Sequence, residues 1–171
     1  DQRDNRNLLT KYCADKSVLN TYCYSGGFSI YALNNMAKEV VSIDSSKTAM
    51  ELVAKNIAAN FKNKTVKHTT ICDDVFHFFK ISDLNFDVII LDPPAFAKNI
   101  AKRHNAVQAY KRLNAEGFKR INKGGILFTF SCSQVVDKEL FYSTVLSAAI
   151  EANRDVKILH YLSQPADHPI N

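Results

Sequence analysis

The chain has 171 residues, 46% of them hydrophobic, and its 22 lysines and arginines exceed 17 aspartates and glutamates to give a formal charge of +5. This length suits one domain with a proper core, and the hydrophobic share excludes a disordered polypeptide. The longest apolar runs, such as "FDVIILDPPAF", are broken by charge or proline well short of the ~20 residues of a membrane helix. The opening "DQRDNRNLL" has neither an initiator methionine nor a signal pattern, and reads as the middle of a longer polypeptide.

In chain order, "SVLNTY" is a predicted strand, and "YCYSGGFS" follows it with Gly26 and Gly27 ahead of a helix over Phe28 to Asn34. Two glycines there let a backbone approach a ligand and present amides at a helix start, although a plain tight turn reads the same way and no dinucleotide fingerprint is present. The strand "EVVSID" ends in Asp44, about 20 residues past the glycines, where a carboxylate in such folds meets ribose hydroxyls. Asp44 could instead cap the helix Ser46 to Asn60, but Ser45 and Ser46 are available for that. "TVKHTTI" is the third strand; behind it Asp73 and Asp74 either accept from an adenine amino group beside the apolar Val75 or cap a helix over Val75 to Lys80.

The fourth strand, "FDVIILD", closes on Asp92, Pro93 and Pro94, and a carboxylate at the end of a central strand is costly without a task. Lys98, Lys102, Arg103, Lys111 and Arg112, interleaved with Phe96, His104 and Tyr110, suit phosphate contacts and base stacking, or else form a solvated basic surface. A helix over Val107 to Ile121 carries Tyr110, Leu113, Phe118 and Ile121 on one stripe and is expected to end at "NKGG" on a left-handed glycine cap. The fifth strand, "GGILFTFS", delivers Cys132 between Ser131 and Ser133, where a thiol can face a crevice. A helix over Lys138 to Asn153, a sixth strand "DVKILHYL" and an irregular tail "SQPADHPIN" complete the reading.

This alternation predicts a single α/β domain over residues 1–171, with a mostly parallel sheet, helices on both faces and ligands beyond the strands' carboxyl ends. Cys13, Cys23, Cys72 and Cys132 have no zinc-type spacing, so reduced cytoplasmic thiols and no metal are expected.

Taken together, "DQRDNR", "VLNTYCYSGGFS", "VVSIDSS", "DDVF", "FDVIILDPPAF", "GGILFTFSCS" and "ADHP" resemble the S-adenosylmethionine-dependent 23S rRNA cytosine-C5 methyltransferases of the large-subunit methyltransferase I type. The resemblance implies a class I Rossmann-like domain, with an N-terminal RNA-binding PUA domain and a final strand lying outside this chain. It implies that Tyr24, Ser25, Gly26, Gly27 and Phe28 meet the methionine moiety. Asp44 and Ser45 would meet the ribose, Asp74 more than Asp73, with Val75, the adenine, and Asp92 with Pro93 the reacting end. Cys132 matches the nucleophile position, and Arg3 and Arg6 an arginine motif. Pro94, Phe96, Lys98, Lys102 and Arg103 would face 23S rRNA, with no membrane partner; a homodimer stays open. Ala95 stands where relatives carry lysine. Two rivals remain: an exocyclic-amine methyltransferase using the acidic-proline-proline turn, and a non-catalytic cofactor- and RNA-binding fragment. A nicotinamide oxidoreductase shares the fold class but lacks its fingerprint.

Overall fold

A computed structural model describes residues 2–162. Five strands, β1 (Ser17–Thr21), β2 (Glu39–Asp44), β3 (His68–Cys72), β4 (Phe86–Leu91) and β5 (Ile121–Thr129), form one sheet in the order β3-β2-β1-β4-β5, every pair parallel. Parallel pairing forces each connection to cross over, and the helices fill those crossovers. They are α1 (Arg3–Leu9), α2 (Gly27–Asn34), α3 (Lys47–Asn60), α4 (Val75–Ile81), α5 (Arg103–Arg120) and α6 (Lys138–Glu151), with a 3₁₀ turn at Ile100–Lys102. The expected α/β architecture with both faces covered is what the chain adopts.

Side-chain alternation along β1 splits the core. Val18 packs under α1 and α2 with Leu9, Phe28, Ala32 and Phe128, while Leu19 packs under α4 and α5 with Phe79, Leu91 and Leu113. α6 lies outside α5, where Phe118 meets Ala148 and Ala149. A polar chain crosses the first of these layers: Asn20 Nδ2 donates to Ser29 Oγ at 2.9 Å, Ser29 and Ser42 share a hydrogen bond of 2.7 Å, and Ser42 meets His68 Nε2 at 2.8 Å. Buried hydroxyls need such partners. The chain ties α2, and the glycine turn ahead of it, to three adjacent strands.

Two expectations are corrected and one element is added. α5 ends at Arg120, and "NKGG" lies inside β5; Gly124, at φ +77°, belongs to a bulge where the register jumps from Phe86↔Ile121 to Val88↔Ile126. Gly125 is obligatory there, because a Cβ would stand 2.6 Å from the Asp87 carbonyl oxygen. The sixth strand does not form: residues 155–162 make no ladder, and an apolar cavity of about 670 Å³, lined by Leu127, Phe141, Val145, Ile158 and Leu159 among others, separates this run from β5. A strand exists only through a neighbour at hydrogen-bonding distance, which this segment lacks among the described residues. The added element, "RDNRNLL", is a helix that periodicity missed, because only Asn5 and Leu9 are buried. "ADHP" lies outside the described residues. No helix among them is long and apolar enough to cross a membrane.

Candidate active site

The five strands point their carboxyl ends at one rim. After β1 the backbone turns through left-handed conformations at Tyr22 (φ 51°), Tyr24 (φ 48°) and Gly26 (φ 77°). Non-glycine residues there carry strain, which surrounding contacts must hold. Those contacts are present: Cys23 N donates to the Ile43 carbonyl at 3.1 Å, Gly26 N to the Cys23 carbonyl at 2.8 Å, and Asn56 Nδ2 to the Ser25 carbonyl at 2.9 Å. A Cβ on Gly26 would approach Val53 Cγ2 to 3.2 Å, and one on Gly27 would approach Arg6 Cδ to 3.1 Å. Tyr24 is left 70% exposed at the mouth.

Asp44 ends β2 beside this turn. Its Oδ2 accepts from Tyr24 N at 3.1 Å and its Oδ1 from Ser46 N at 3.0 Å, which fixes the carboxylate plane while each oxygen keeps a second lone pair. Ser46, not Asp44, caps α3, accepting from Ala49 N at 3.2 Å; Ser45 is exposed. Burial, reinforced by the Asp44 charge, pushes the Cys23 thiol up to about 12, so that sulfur is inert. Phe28 is buried at 6% exposure and stacks on Phe130 at 5.9 Å.

At the end of β3 the two aspartates divide their work. Asp74 caps α4, its Oδ1 accepting from His77 N at 3.0 Å, and Asp73 Oδ2 meets His77 Nδ1 at 2.7 Å. The His77 hydrogen bond holds the Asp73 carboxyl below the usual range. Val75 is buried, and the Arg112 guanidinium lies 4.2 Å from the centroid of the neighbouring Phe76 ring. Tyr22, which the sequence reading passed over, fills the space between these sets; burial, then the Asp74 charge, drives its hydroxyl far up from its ordinary range.

Asp92 follows β4 and Cys132 follows β5. Burial pushes the Asp92 carboxyl up to about 6, opposed by a hydrogen bond from Gln2 Nε2 to its Oδ1 at 3.0 Å and by the charge of Arg6. The Cys132 thiol donates to the Pro93 carbonyl at 3.6 Å and is solvent-accessible; burial of part of the group and then the Asp92 charge raise its pKa. Ser133 is 4% exposed and is more than a small neighbour: its Oγ accepts from Ala97 N at 3.4 Å and lies 3.0 Å from the Tyr110 hydroxyl. That brace seats the thiol's loop on α5 and on the segment after Pro94.

The basic stretch divides as well. Lys98, Lys102, Arg103 and His104 are exposed, as is Pro94. Tyr110 is fully buried between Phe141 (5.4 Å) and Phe96 (4.7 Å), which removes it from any base-stacking surface; Phe96 is half-buried against it. Gln2, Asn5, Tyr22 and the Tyr110–Ser133 brace are site features that residue patterns did not single out. Only the quoted "DQRDNR" pointed toward the first two.

Comparison with known proteins places the chain in a family. Proteins named "Ribosomal RNA large subunit methyltransferase I" are similar over 99% of the chain, at 44% identity in Tolumonas auensis and 39% in Escherichia coli strain E24377A. The chain spans 43% of the length of each. The crystal structure of SMU.776, solved as a complex with SAH, superposes with a TM-score of 0.86 at 26% identity, over 100% of this chain and 45% of that one. A Streptococcus mutans protein described as a SAM-dependent methyltransferase gives 0.80 at 27% identity, over 98% of this chain and 43% of its own. The parallel sheet with its covering helices is thus the Rossmann-like fold of class I methyltransferases. The family description "Conserved hypothetical protein 95" matches residues 4–136, and the chain belongs to that family.

Proposed function

We propose that this chain is the catalytic domain of an S-adenosylmethionine-dependent methyltransferase acting on large-subunit ribosomal RNA, with carbon 5 of a cytosine as the acceptor. The observation that carries the reading is the meeting of Cys132 with the Asp92–Pro93 turn at the ends of two adjacent strands. The names of the curated relatives and the SAH in the SMU.776 complex support the coarser part, a methyl transfer from S-adenosylmethionine to large-subunit ribosomal RNA.

The rim suits the cofactor. The left-handed Gly26 leaves a close approach open beside the α2 amides, Asp44 offers two oriented acceptors to a vicinal diol, and Asp74 with Val75 and Phe76 bounds a space for an adenine. Tyr24, Ser25, Gly27, Ser45, Asp73 and Pro93 complete this set. Bound there, S-adenosylmethionine supplies an electrophilic methyl group.

The chain's own chemistry answers a specific difficulty, which is that cytosine carbon 5 is a poor nucleophile. Addition of the Cys132 sulfur to carbon 6, with its proton lost to water, makes carbon 5 enamine-like and able to take a methyl group; the carbon 5 proton then passes to water, the ring nitrogen returns its proton to Asp92, and the thiolate is expelled as the ring is restored. Asp92 holds the base edge and favours protonation of its ring nitrogen. The base must be unstacked to reach so enclosed a position. Lys98, Lys102 and Arg103 then hold phosphates of the displaced strand, with Pro94 and Phe96 at the entrance.

RNA carrying 5-fluorocytosine tests the reaction, because fluorine cannot leave as a proton does and the enzyme stays attached after methyl transfer. A denaturation-resistant adduct, absent in Cys132→Ala while calorimetric binding of S-adenosylmethionine persists, is expected. The Asp92-Pro93-Pro94 turn also fits transfer to an exocyclic amine; methyl transfer that survives Cys132→Ala would select that reading. A fragment that only binds cofactor and RNA would transfer nothing in either protein. Asp44→Ala should weaken cofactor binding by ~1–3 kcal/mol.

A further inference from the structure

Gln2 occupies the N-cap position of α1, yet its side chain makes no capping bond to that helix. It is used elsewhere. Asn5 Nδ2 donates to Gln2 Oε1 at 2.6 Å, and Gln2 Nε2 donates to Asp92 Oδ1 at 3.0 Å. Asn5 is itself buried, at 8% exposure, so the first donor is held in place by packing. Its direction fixes the second: with Asn5 donating to the amide oxygen, the amide nitrogen of Gln2 must face the carboxyl group.

We propose that Gln2, steered by Asn5, is a positioning residue for Asp92, holding Oδ1 as a permanent acceptor so that any carboxyl proton resides on Oδ2, toward the incoming base. An N–H donor aimed at Oδ1 is accepted better by a carbonyl-type oxygen than by a hydroxyl one, so a carboxyl proton is favoured on Oδ2 and the two oxygens are made chemically distinct. The consequence for the reaction is directional. As the bond between the Cys132 sulfur and carbon 6 forms, negative charge builds on the ring, and the proton on Oδ2 passes to the ring nitrogen, leaving Asp92 as the carboxylate. A carboxyl free to turn would spend part of its time with its proton misdirected. The inference rests on the cytosine reading for its mechanistic meaning, though not for its geometry.

Among the described residues, the other charged or titratable groups acting on Asp92 are Arg6, from α1, and Cys132, following β5. Arg6 and Gln2 both favour the carboxylate, against burial. Removing the Gln2 donor while keeping its volume should therefore move the titration of Asp92 upward.

The test uses ¹³C-labelled aspartate carboxyls followed by NMR across a pH series, with Asp92 assigned through Asp92→Asn. Gln2→Met should raise the Asp92 midpoint and move upward with it the alkaline limb of the kcat profile, on which activity is lost as Asp92 gives up its proton. It should lower kcat about ten- to hundredfold and leave the cofactor Kd within about twofold, the pattern of a lost hydrogen bond to a charged group outside the cofactor site. Asn5→Ala should move both observables in the same direction by less, since Gln2 remains but is no longer steered. An unchanged Asp92 midpoint in a folded Gln2→Met protein overturns the proposal, as does a fall in kcat with the pH profile unmoved. Should Gln2→Met not fold, the Asn5→Ala midpoint decides, and no shift there overturns it. Failure of the cytosine reading is read separately, as absence of the 5-fluorocytosine adduct in wild-type protein.

Discussion

The sulfur of Cys132 lies 3.6 Å from the backbone carbonyl of Pro93, so the ends of β5 and β4 are joined at the point where the thiol meets the acidic turn. Partial burial and the charge of Asp92 both disfavour the thiolate, which makes the resting cysteine a thiol at neutral pH. Asp92→Asn removes the charge and should bring the alkylation midpoint of Cys132 down, with several-fold faster reaction with iodoacetamide near neutrality. The measurement is made in a Cys72→Ser background, because Cys72 is also exposed whereas Cys13 and Cys23 are buried. An unmoved midpoint would separate the two groups electrostatically.

Asp92 should destabilise the folded protein above its own pKa. Its folded value of about 6 exceeds the ordinary 3.8, so the folded state binds the proton more tightly. The contribution favours folding below the unfolded pKa and is lost as pH rises through about 6, amounting to ~3 kcal/mol. Asp92→Asn keeps the carbonyl that accepts from Gln2 and loses the charge; it should be the more stable protein at slightly alkaline pH by up to ~3 kcal/mol and abolish methyl transfer. Urea titrations at several pH values measure the difference, which should shrink toward pH ~4.

Tyr110→Phe removes the hydroxyl that meets Ser133 while leaving the Ala97 amide bonded to Ser133 Oγ. A stability loss of ~1 kcal/mol is expected from one buried hydrogen bond. The more telling readout is the rate of 5-fluorocytosine adduct formation, which should fall because the loop bearing Cys132 loses its seat. An unaltered rate would make the brace purely structural.

Replacing Lys98, Lys102 and Arg103 with alanine should reduce the dependence of log K for RNA on log salt by about 2, at ~0.7 per phosphate contact on a single strand. Cofactor affinity should be unchanged, since these side chains are exposed beyond the acidic turn. Full retention of the salt slope would leave the stretch a solvated surface.

The strands were legible where apolar runs end in a charged residue: β2 matches "EVVSID" residue for residue, and β1 and β4 differ only at their last residue. Asp44, Asp92 and Cys132 could be placed on one rim because parallel sheets put strand ends together. What escaped depends on contacts across the sequence. The "NKGG" segment has the composition of a helix cap, and only its pairing with β4 makes it a bulge. "DVKILHYL" has strand composition but no neighbouring ladder. Gln2 and Asn5 show no periodicity, and their use follows from where Asp92 arrives, far along the chain. Tyr110 read both as a stacking residue and as part of the apolar stripe with Leu113, Phe118 and Ile121, and it is the stripe that the structure buries.

The central place of β1 between β2 and β4 also governs how the molecule comes into being. β1 finds β2 early, but its other edge must wait for β4, and β4 waits in turn for β5. While the chain is being synthesised, that edge exposes Leu19 and its unpaired amides, a period in which a nascent chain is open to wrong partners. Cys132 emerges last of the rim residues and meets Pro93 only when the final described strand docks. A chain lacking β5 would keep the acidic turn without Cys132, so the two groups that the proposed reaction needs are brought together only by the pairing of β5 with β4.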